Sequence, residues 1–279
     1  MDRSDGHFRA MARLLPADAP AVWHPVDDAL IAGPEGLLGD PRELFVPEVV
    51  SQLDAVLGFE GTLSRCRDQL VRTPLVVNLT ASTLTGDHTR KVTVMSIADA
   101  LRLGATAVAC HLNFSAPSEN EMIQRFGSVV AEARRFGMPV VAITYPRGVR
   151  EDGSDENYFG LRAADPDAFA LKVAHAVRVA TELGASVVKT VYTGTAESFR
   201  RVVDGACGVP VLIAGEEYDP TEEVLDRAEA AVRVGARGVA FGRQIFERKD
   251  PATFLVELRD RLGIAYSKCC SGADHSPTT

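Results

Sequence analysis

Several features typical of membrane, secreted or nucleic-acid-binding proteins are missing from this chain of 279 residues. No apolar run approaches the roughly 20 residues that a membrane-spanning helix needs. The segment 1–7 is polar, and no apolar signal region follows it. The net charge is -8, with no cluster of Lys and Arg to offset it. This charge argues against a nucleic-acid partner. Together, the three absences predict a cytoplasmic protein without nucleic-acid or membrane partners.

Cysteine is also scarce. The chain has five, and an odd number argues against a disulfide framework. None of them has the spacing of a zinc site, so no metal is expected. Cys110 and Cys207 lie in apolar surroundings and are predicted to be small core residues. Cys269 and Cys270 lie in a polar tail, 267–279, which we expect to be disordered.

What the chain does contain is an alternation of apolar runs and helical patterns, in an ordinary globular composition of 46% hydrophobic and 24% charged residues. The predicted strands are 21–26, 54–59, 74–79, 105–113, 138–145, 185–192, 209–214 and 238–241. The predicted helices are 43–53, 96–103, 119–136, 165–183, 195–206, 221–234 and 251–262.

This alternation predicts a parallel sheet, and eight units in a chain of this size fit a single-domain (β/α)8 TIM barrel. A doubly wound open sheet is the alternative, but it favours a glycine-rich turn after the first strand, where this chain has Asp27-Asp28-Ala29. We assign 1–19 to an N-terminal segment, 20–263 to the barrel and 264–279 to a disordered tail.

The most informative residue is Lys189, which interrupts a predicted strand that is otherwise almost entirely apolar. Lysine is rarely buried unless it is paired or used. An unpaired ammonium group would be so costly there that we expect the amine to be neutral, and a neutral amine attacks carbonyl groups to give a Schiff base. The alternative is a lysine at a strand end that extends its amine to water.

Catalytic groups of such barrels lie at the carboxyl ends of the strands. Lys189 is near the end of the sixth strand, Tyr145 ends the fifth, and Asp27 ends the first. We therefore expect these three residues, distant in sequence, to meet at one rim. His111 and Asn113, at the end of the fourth strand, are predicted to face the same cavity; for His111, a core histidine is the alternative.

Two motifs carry a family resemblance: Tyr145-Pro146-Arg147-Gly148, and Val188-Lys189-Thr190-Val191-Tyr192-Thr193-Gly194. With Gly242-Arg243-Gln244-Ile245-Phe246, they resemble class I aldolases of the archaeal fructose-bisphosphate aldolase type. Within that group, the chain looks most like the synthases of seven-carbon amino-keto sugars, from about residue 22 to residue 262.

The resemblance implies roles. Lys189 would form the Schiff base, without a metal or other cofactor. Tyr145 would be the general acid/base, because a neighbouring iminium would lower the pKa of its phenol. Asp27 would handle the proton on the acceptor's carbonyl oxygen. The alternative for Tyr145 is a tyrosine that caps a core strand. The resemblance also implies a homo-oligomer.

Barrels of this kind commonly bind phosphate with the loops after strands seven and eight. Ala214 and Gly215 occupy the first place, and Gly242 and Arg243 the second. Arg243 can donate two hydrogen bonds to a phosphate. Tight turns between strand and helix are the alternative explanation of the two glycines.

Three acids depart from the family pattern. Asp28 stands where the family usually has histidine, and is either a specificity residue in the binding site or a solvated loop acid. Glu216 follows Gly215, where the family has a second glycine. Glu60 lies where relatives often carry a basic residue.

The hypothesis favoured by these observations is an aldolase that joins dihydroxyacetone phosphate to an aldehyde, with L-aspartate 4-semialdehyde as the acceptor. The product would be a seven-carbon amino-keto sugar phosphate for aminohydroxybenzoate-type biosynthesis. Two alternatives share the same lysine: a transaldolase-type 2-amino-3,7-dideoxyheptulosonate synthase of aromatic amino-acid biosynthesis, and a fructose-bisphosphate aldolase. An alternative of another class is a regulator that binds a phosphosugar without catalysis.

Overall fold

The computed structural model describes residues 4–34, 36–149 and 155–263. Its centre is a closed barrel of eight parallel strands, in which each strand pairs with its neighbours along the chain and β1 pairs with β8. The barrel strands are β1 (Ala21–Pro25), β2 (Ala55–Gly58), β3 (Leu75–Asn78), β4 (Ala107–His111), β5 (Val140–Ile143), β6 (Val187–Thr190), β7 (Val211–Ala214) and β8 (Gly238–Ala240). The predicted (β/α)8 barrel is confirmed.

Thirteen α-helices surround the barrel within the described residues. They are α1 (Asp5–Leu14), α2 (Asp28–Ile31), α3 (Pro41–Leu44), α4 (Pro47–Val50), α5 (Glu60–Arg65), α6 (Ile97–Arg102), α7 (Glu119–Arg135), α8 (Phe159–Ala164), α9 (Pro166–Glu182), α10 (Ala196–Gly205), α11 (Thr221–Arg233), α12 (Arg243–Phe246) and α13 (Pro251–Arg261). A 3-10 helix spans Gly36–Gly39. No helix among the residues described is long and apolar enough to cross a membrane.

All eight predicted strands contain a barrel strand, but one predicted helix is wrong. The segment 43–53 holds the end of α3 and all of α4, separated by a break before Pro47. Proline lacks the N–H that a continuous helix requires, and its ring clashes with the preceding turn. The apolar spacing of the segment does not by itself reveal this break.

The prediction that Cys207 is a core residue is also wrong. Cys207 is exposed and has a φ of 48°. It lies in the turn that connects α10 to β7, where the chain reverses at the surface. Cys110 is buried in β4, as predicted. Cys269, Cys270 and the expected disordered tail lie outside the described residues.

Helix α1, which the sequence analysis did not predict, closes the amino-terminal end of the barrel. Its last residue, Leu14, is fully buried and packs with the side chains that fill the barrel interior. The indole of Trp23 in β1 donates a hydrogen bond to the backbone oxygen of Leu14, at 2.9 Å. Arg237, just before β8, donates to the backbone oxygen of Pro16. Solvent is therefore excluded from this end of the barrel, and the opposite end remains for a binding site.

A second, larger apolar core lies between the barrel and its helices, and includes buried aromatic residues such as Phe126, Phe169 and Phe199. Two short antiparallel pairs extend beyond the barrel at its carboxyl end. One joins Thr80–Ala81 to Val92–Thr93, and the other joins Arg147–Val149 to Asp155–Asn157. These pairs build up the rim around the open end.

The seam between β1 and β8 depends on Gly238, whose φ is 141°. A β-carbon at this position would overlap the backbone of Ala21, with which Gly238 is paired. Replacing Gly238 with alanine therefore forces the seam apart.

We predict that Gly238→Ala lowers the free energy of unfolding by on the order of 3 kcal/mol, because it combines backbone strain with a clash in the sheet. The matched control is Gly61→Ala in α5, where the added β-carbon meets nothing within 4 Å. Alanine in a helix is favoured over glycine, so the control should be neutral or stabilised by about 0.5–1 kcal/mol. Chemical denaturation of both variants measures the difference; equal stabilities would contradict this account of the seam.

Candidate active site

The carboxyl end of the barrel opens into a cavity of about 510 Å³. The cavity lies where the strand ends and the loops after them meet, as in other barrel enzymes. Its lining includes all ten residues that the sequence analysis selected: Asp27, Asp28, His111, Asn113, Tyr145, Lys189, Ala214, Gly215, Gly242 and Arg243.

Lys189 lies in β6, between Ile143 of β5 and Leu212 of β7, and only 7% of the residue is exposed. Burial opposes its charge, but Tyr145, Asp27 and Asp28 outweigh burial and raise the pKa of the amine above its ordinary value. The fold therefore favours the charged form of the amine, contrary to the expectation of a neutral one. That expectation assumed an unpaired lysine, whereas the fold supplies two carboxylates and a hydrogen-bonded phenol.

Tyr145 follows the end of β5 by two residues, and its phenol and the Lys189 amine lie close enough to shift each other's pKa. Burial raises the pKa of the phenol, the positive charge of Lys189 lowers it, and the upward effect prevails. The phenol is thus neutral near pH 7 in the empty site. A phenol in contact with an amine can exchange a proton with a group that is bound to that amine.

Asp27 lies just beyond β1 and is 5% exposed. The side-chain amide of Asn78, at the end of β3, donates a hydrogen bond to its carboxylate at 3.0 Å. The oxygen of the same amide accepts a hydrogen bond from the backbone N–H of Thr80. Asn78 therefore fixes the carboxylate inside the cavity, on the side opposite Tyr145 in the strand order.

His111 and Asn113 both reach the cavity, but each also supports the rim. The hydroxyl of Thr80 lies 3.0 Å from Nδ1 of His111. Burial, with the charges of Lys91 and Lys189, holds the pKa of His111 well below its ordinary value, so the imidazole is neutral. The amide of Asn113 donates to the backbone oxygen of Thr89 at 3.0 Å.

The loops after β7 and β8 form another part of the lining. A β-carbon on Gly215 would approach Gln244 to 2.9 Å and Phe241 to 3.2 Å, so a larger residue does not fit there. Arg243 pairs with Asp28 at 3.4 Å, and both side chains are partly exposed. Asp28 is therefore an ion-pair partner in the cavity lining and not an isolated loop acid.

The two other departures from the family pattern differ in position. Glu216 lines the cavity, yet its side chain is 4% exposed and is paired with Arg162 at 2.7 Å. Its charge is thus neutralised inside the protein. Glu60 is an exposed residue in the first turn of α5 and does not belong to the cavity lining.

The sequence analysis missed two basic residues of the cavity. Lys91 is 2% exposed, and His88 precedes it in the loop between β3 and β4. Burial, with the charge of Lys91, lowers the pKa of His88 to about 3. Their loop is irregular, and periodicity gives no information on burial in irregular segments.

Within the described part of the chain, no group of three His, Cys, Asp or Glu side chains is placed to hold a metal ion. Lys189, Tyr145 and Asp27 all line the cavity. A barrel with a buried lysine, a phenol in contact with it and a carboxylate across the cavity defines a class of enzyme that acts on carbonyl compounds through the amine.

Comparisons with known proteins identify the family. A profile of the DeoC/LacD family aldolases matches residues 21–248, and the chain belongs to this family. It is 36% identical over 256 residues to the 2-amino-3,7-dideoxy-D-threo-hept-6-ulosonate synthase of Halobacterium salinarum, with 91% of each chain covered. It is 34% identical over 244 residues to the 2-amino-4,5-dihydroxy-6-oxo-7-(phosphonooxy)heptanoate synthase of Streptomyces griseus, with 85% of this chain and 83% of the relative covered.

Solved structures agree with this assignment. An archaeal fructose 1,6-bisphosphate aldolase superposes with a TM-score of 0.79 at 26% identity, over 92% of this chain and 98% of the other. Another archaeal fructose-1,6-bisphosphate aldolase structure, at 25% identity with the same TM-score, has its catalytic Lys covalently bound to a carbinolamine intermediate. This protein is thus a lyase of the class I aldolase type, whose chemistry runs through a covalent lysine adduct and not through a metal.

We predict that Asp28→Asn makes Lys189 reactive at lower pH, because one of the carboxylates that raise the pKa of Lys189 loses its charge. The measurement is carbamylation by potassium cyanate, which modifies neutral amines, quantified by peptide mass spectrometry as a function of pH. The exposed Lys249 is an internal reference in the same digest. An unchanged profile for Lys189 would show that Asp28 does not act on the amine.

Proposed function

We propose that this protein joins dihydroxyacetone phosphate to L-aspartate 4-semialdehyde through a Schiff base on Lys189, giving a seven-carbon amino-keto sugar phosphate. The observation that carries the proposal is the position of Lys189: it is buried, it lines the cavity beside Tyr145 and Asp27, whose charges act on its pKa, and Arg243 belongs to the same lining.

The first step forms the covalent donor adduct. The Lys189 ammonium first gives up its proton, after which the amine attacks the ketone carbon and forms a carbon–nitrogen bond. The former carbonyl oxygen takes one proton from the attacking amine and a second from the phenol of Tyr145 and leaves as water, which produces a positively charged iminium. The carboxylates of Asp27 and Asp28, which stabilise the ammonium in the empty site, then stabilise this new cation.

The second step makes the nucleophile and the new bond. Tyr145, which has given its phenol proton to the departing oxygen, is now a phenolate beside the iminium; it takes a proton from the carbon next to the iminium and leaves an enamine. The enamine carbon attacks the aldehyde carbon of the acceptor. Asp27, held by Asn78, passes a proton to the aldehyde oxygen, which becomes a hydroxyl. Addition of water to the regenerated iminium then releases the product and the free amine.

The donor's phosphate is proposed to bind between the loops after β7 and β8. Ala214, Gly215 and Gly242 bring the backbone close to the cavity there, and Arg243 supplies a guanidinium group. In the empty site Arg243 is paired with Asp28, so phosphate competes with this carboxylate for the arginine. His111 and Asn113, at the end of β4, contribute to the polar lining of the cavity, and we propose that they contact substrate.

The identity of the substrates is supported by relatives of two kinds. The Streptomyces relative, at 34% identity, is named as a synthase of a phosphorylated seven-carbon heptanoate. The Halobacterium relative, at 36% identity, is named as a heptulosonate synthase, and it makes the transaldolase-type reaction the second candidate. Fructose-bisphosphate aldolase activity is a third, suggested by structures at 25–26% identity. Membership of an aldolase family favours all three over a non-catalytic regulator.

The experiment that tests the proposal is borohydride trapping. We predict that sodium borohydride with dihydroxyacetone phosphate yields one reduced adduct on Lys189, found by peptide mass spectrometry, because the iminium is reducible. Lys189→Met should abolish the adduct completely, and the matched control Lys249→Met, which removes an exposed lysine, should retain it.

Trapping also separates the candidate donors. A folded protein that gives no adduct with dihydroxyacetone phosphate but does so with a ketose phosphate would replace the proposed donor with that of the transaldolase-type reaction. Product formation from the trapped donor and L-aspartate 4-semialdehyde identifies the acceptor, and cleavage of fructose 1,6-bisphosphate would support the third candidate. An adduct on another lysine would contradict the role of Lys189.

We predict that Arg243→Gln raises the KM for dihydroxyacetone phosphate by about tenfold to a hundredfold, because a charge-assisted hydrogen bond contributes on the order of 1.5–3 kcal/mol. The control substrate is unphosphorylated dihydroxyacetone, for which the variant and the parent protein should be alike. A KM that rises equally for both ketones would show that Arg243 does not contact the phosphate.

A homo-oligomeric assembly and a cytoplasmic location remain predictions from the sequence.

A further inference from the structure

Glu216 is held in an unfavourable backbone conformation. It follows Gly215 in the loop after β7 and has a φ of 59°, in the left-handed region. Such a conformation costs a residue with a side chain on the order of 1–2 kcal/mol and suits glycine far better. A glutamate in this position therefore indicates that its side chain contributes something that glycine would not.

The contacts of the Glu216 carboxylate show what it holds. Its Oε1 atom accepts a hydrogen bond from the hydroxyl of Tyr158 at 2.9 Å and another from Arg162 at 2.7 Å. Its Oε2 atom lies 4.0 Å from Arg227, which also donates to the backbone oxygen of Gly215. The carboxylate thus connects the loop after β7 to the segment that begins α8.

Tyr158 in turn contacts the residues beside Lys189. Its ring stacks on Tyr145, with ring centroids 6.3 Å apart and planes 18° apart. The guanidinium of Arg147 lies 5.6 Å from the Tyr158 ring and 5.9 Å from the Tyr145 ring. Tyr158 also stacks on Phe169, which is buried in the core.

Tyr158 is the donor in its hydrogen bond with Glu216. Burial, followed by the negative charge of Glu216, raises the pKa of the Tyr158 phenol well above its ordinary value. The phenol therefore keeps its proton and donates it in the hydrogen bond to Glu216. The pair joins the loop after β7, which forms part of the proposed phosphate subsite, to the segment just before α8. This segment contacts Tyr145, the proposed general acid/base.

We propose that Glu216 is a positioning residue, which holds Tyr158 by its hydroxyl so that Tyr158 and Arg147 keep the phenol of Tyr145 directed at Lys189. This inference rests on the proposed function, because it gives Tyr145 the task of moving a proton. It goes beyond that function by assigning roles to Glu216 and Tyr158, and it couples the donor-phosphate loop to the proton transfer.

The test uses a step that needs the donor but no acceptor. Tyr145 exchanges a donor C–H proton with solvent once the iminium has formed, so exchange of dihydroxyacetone phosphate in deuterated water is followed by proton NMR. Borohydride trapping on the same samples measures the fraction of Lys189 that carries the donor. The variants are Glu216→Gln, which removes the charge, and Tyr158→Phe, which removes the hydroxyl and keeps the ring.

We predict that both variants trap the donor as the parent protein does, while exchange per trapped site slows by about tenfold to a hundredfold, because a small misplacement of a catalytic group has an effect of this size. The rise of the exchange rate with pH should move to higher pH, because the positive charge of Arg147 lowers the pKa of Tyr145 and is no longer held in place. The double variant should be no slower than the slower single one, because both changes act on the same contact: glutamine weakens the charge-assisted bond from Tyr158, and phenylalanine removes it.

The matched control is Tyr192→Phe, which removes the hydroxyl of another buried tyrosine, packed on Phe199 and absent from the cavity lining. It should leave both the exchange rate and its pH dependence unchanged. Normal trapping with unchanged exchange in Glu216→Gln and Tyr158→Phe would overturn the positioning role. Absence of trapping in the parent protein would instead contradict the proposed function.

A second measurement needs no ligand. Crystal structures of the unliganded parent protein and of Glu216→Gly, which has the residue usual in the family, reveal the position of Tyr145 directly. We expect the Tyr158 ring and the Arg147 guanidinium to shift and the Tyr145 hydroxyl to move away from Lys189. The same orientation of all three side chains in both structures would overturn the proposal whatever the donor is.

Discussion

A cation that is buried at the end of a barrel needs nearby groups that balance its charge, and much of the site is arranged around this requirement. Lys189 is placed by β6 where water is largely excluded, and the cost of burying its charge is offset by Asp27, Asp28 and Tyr145. The same groups suit the iminium of a Schiff base, which carries the same charge at almost the same place. The site is therefore electrostatically prepared for the covalent intermediate before any substrate arrives.

A second layer of pairing keeps these groups in position. Asn78 holds Asp27, Arg243 pairs with Asp28, and Arg147 with Tyr158 flanks Tyr145. The first two pairs join loops that follow different strands, so the geometry of the cavity depends on the closure of the barrel. This explains why α1, at the opposite end, matters to the site: it completes the apolar interior on which the strands pack.

The sequence was sufficient where the pattern is regular or the chemistry unusual. Buried parallel strands have nearly continuous apolar runs, so all eight strands and the barrel were predictable, and a lysine in such a run was conspicuous. Prediction failed where regular periodicity was interrupted or absent, as at Pro47, which divides a predicted helix, and at Lys91, which lies buried in an irregular loop. The protonation of Lys189 was also mispredicted, because it depends on neighbours from other strands.

The sequence by itself therefore determined the architecture, the aldolase resemblance and ten of the residues that line the cavity, because each is a property of a local segment or motif. Only the tertiary structure decided how the acids behave. Asp28 forms an ion pair with Arg243, Glu60 lies outside the cavity, and Glu216 is buried against Tyr158 and Arg162. The reason is physical: the energy of a charge depends on the distance to other charges and to water, and the fold sets those distances between residues that are far apart in sequence.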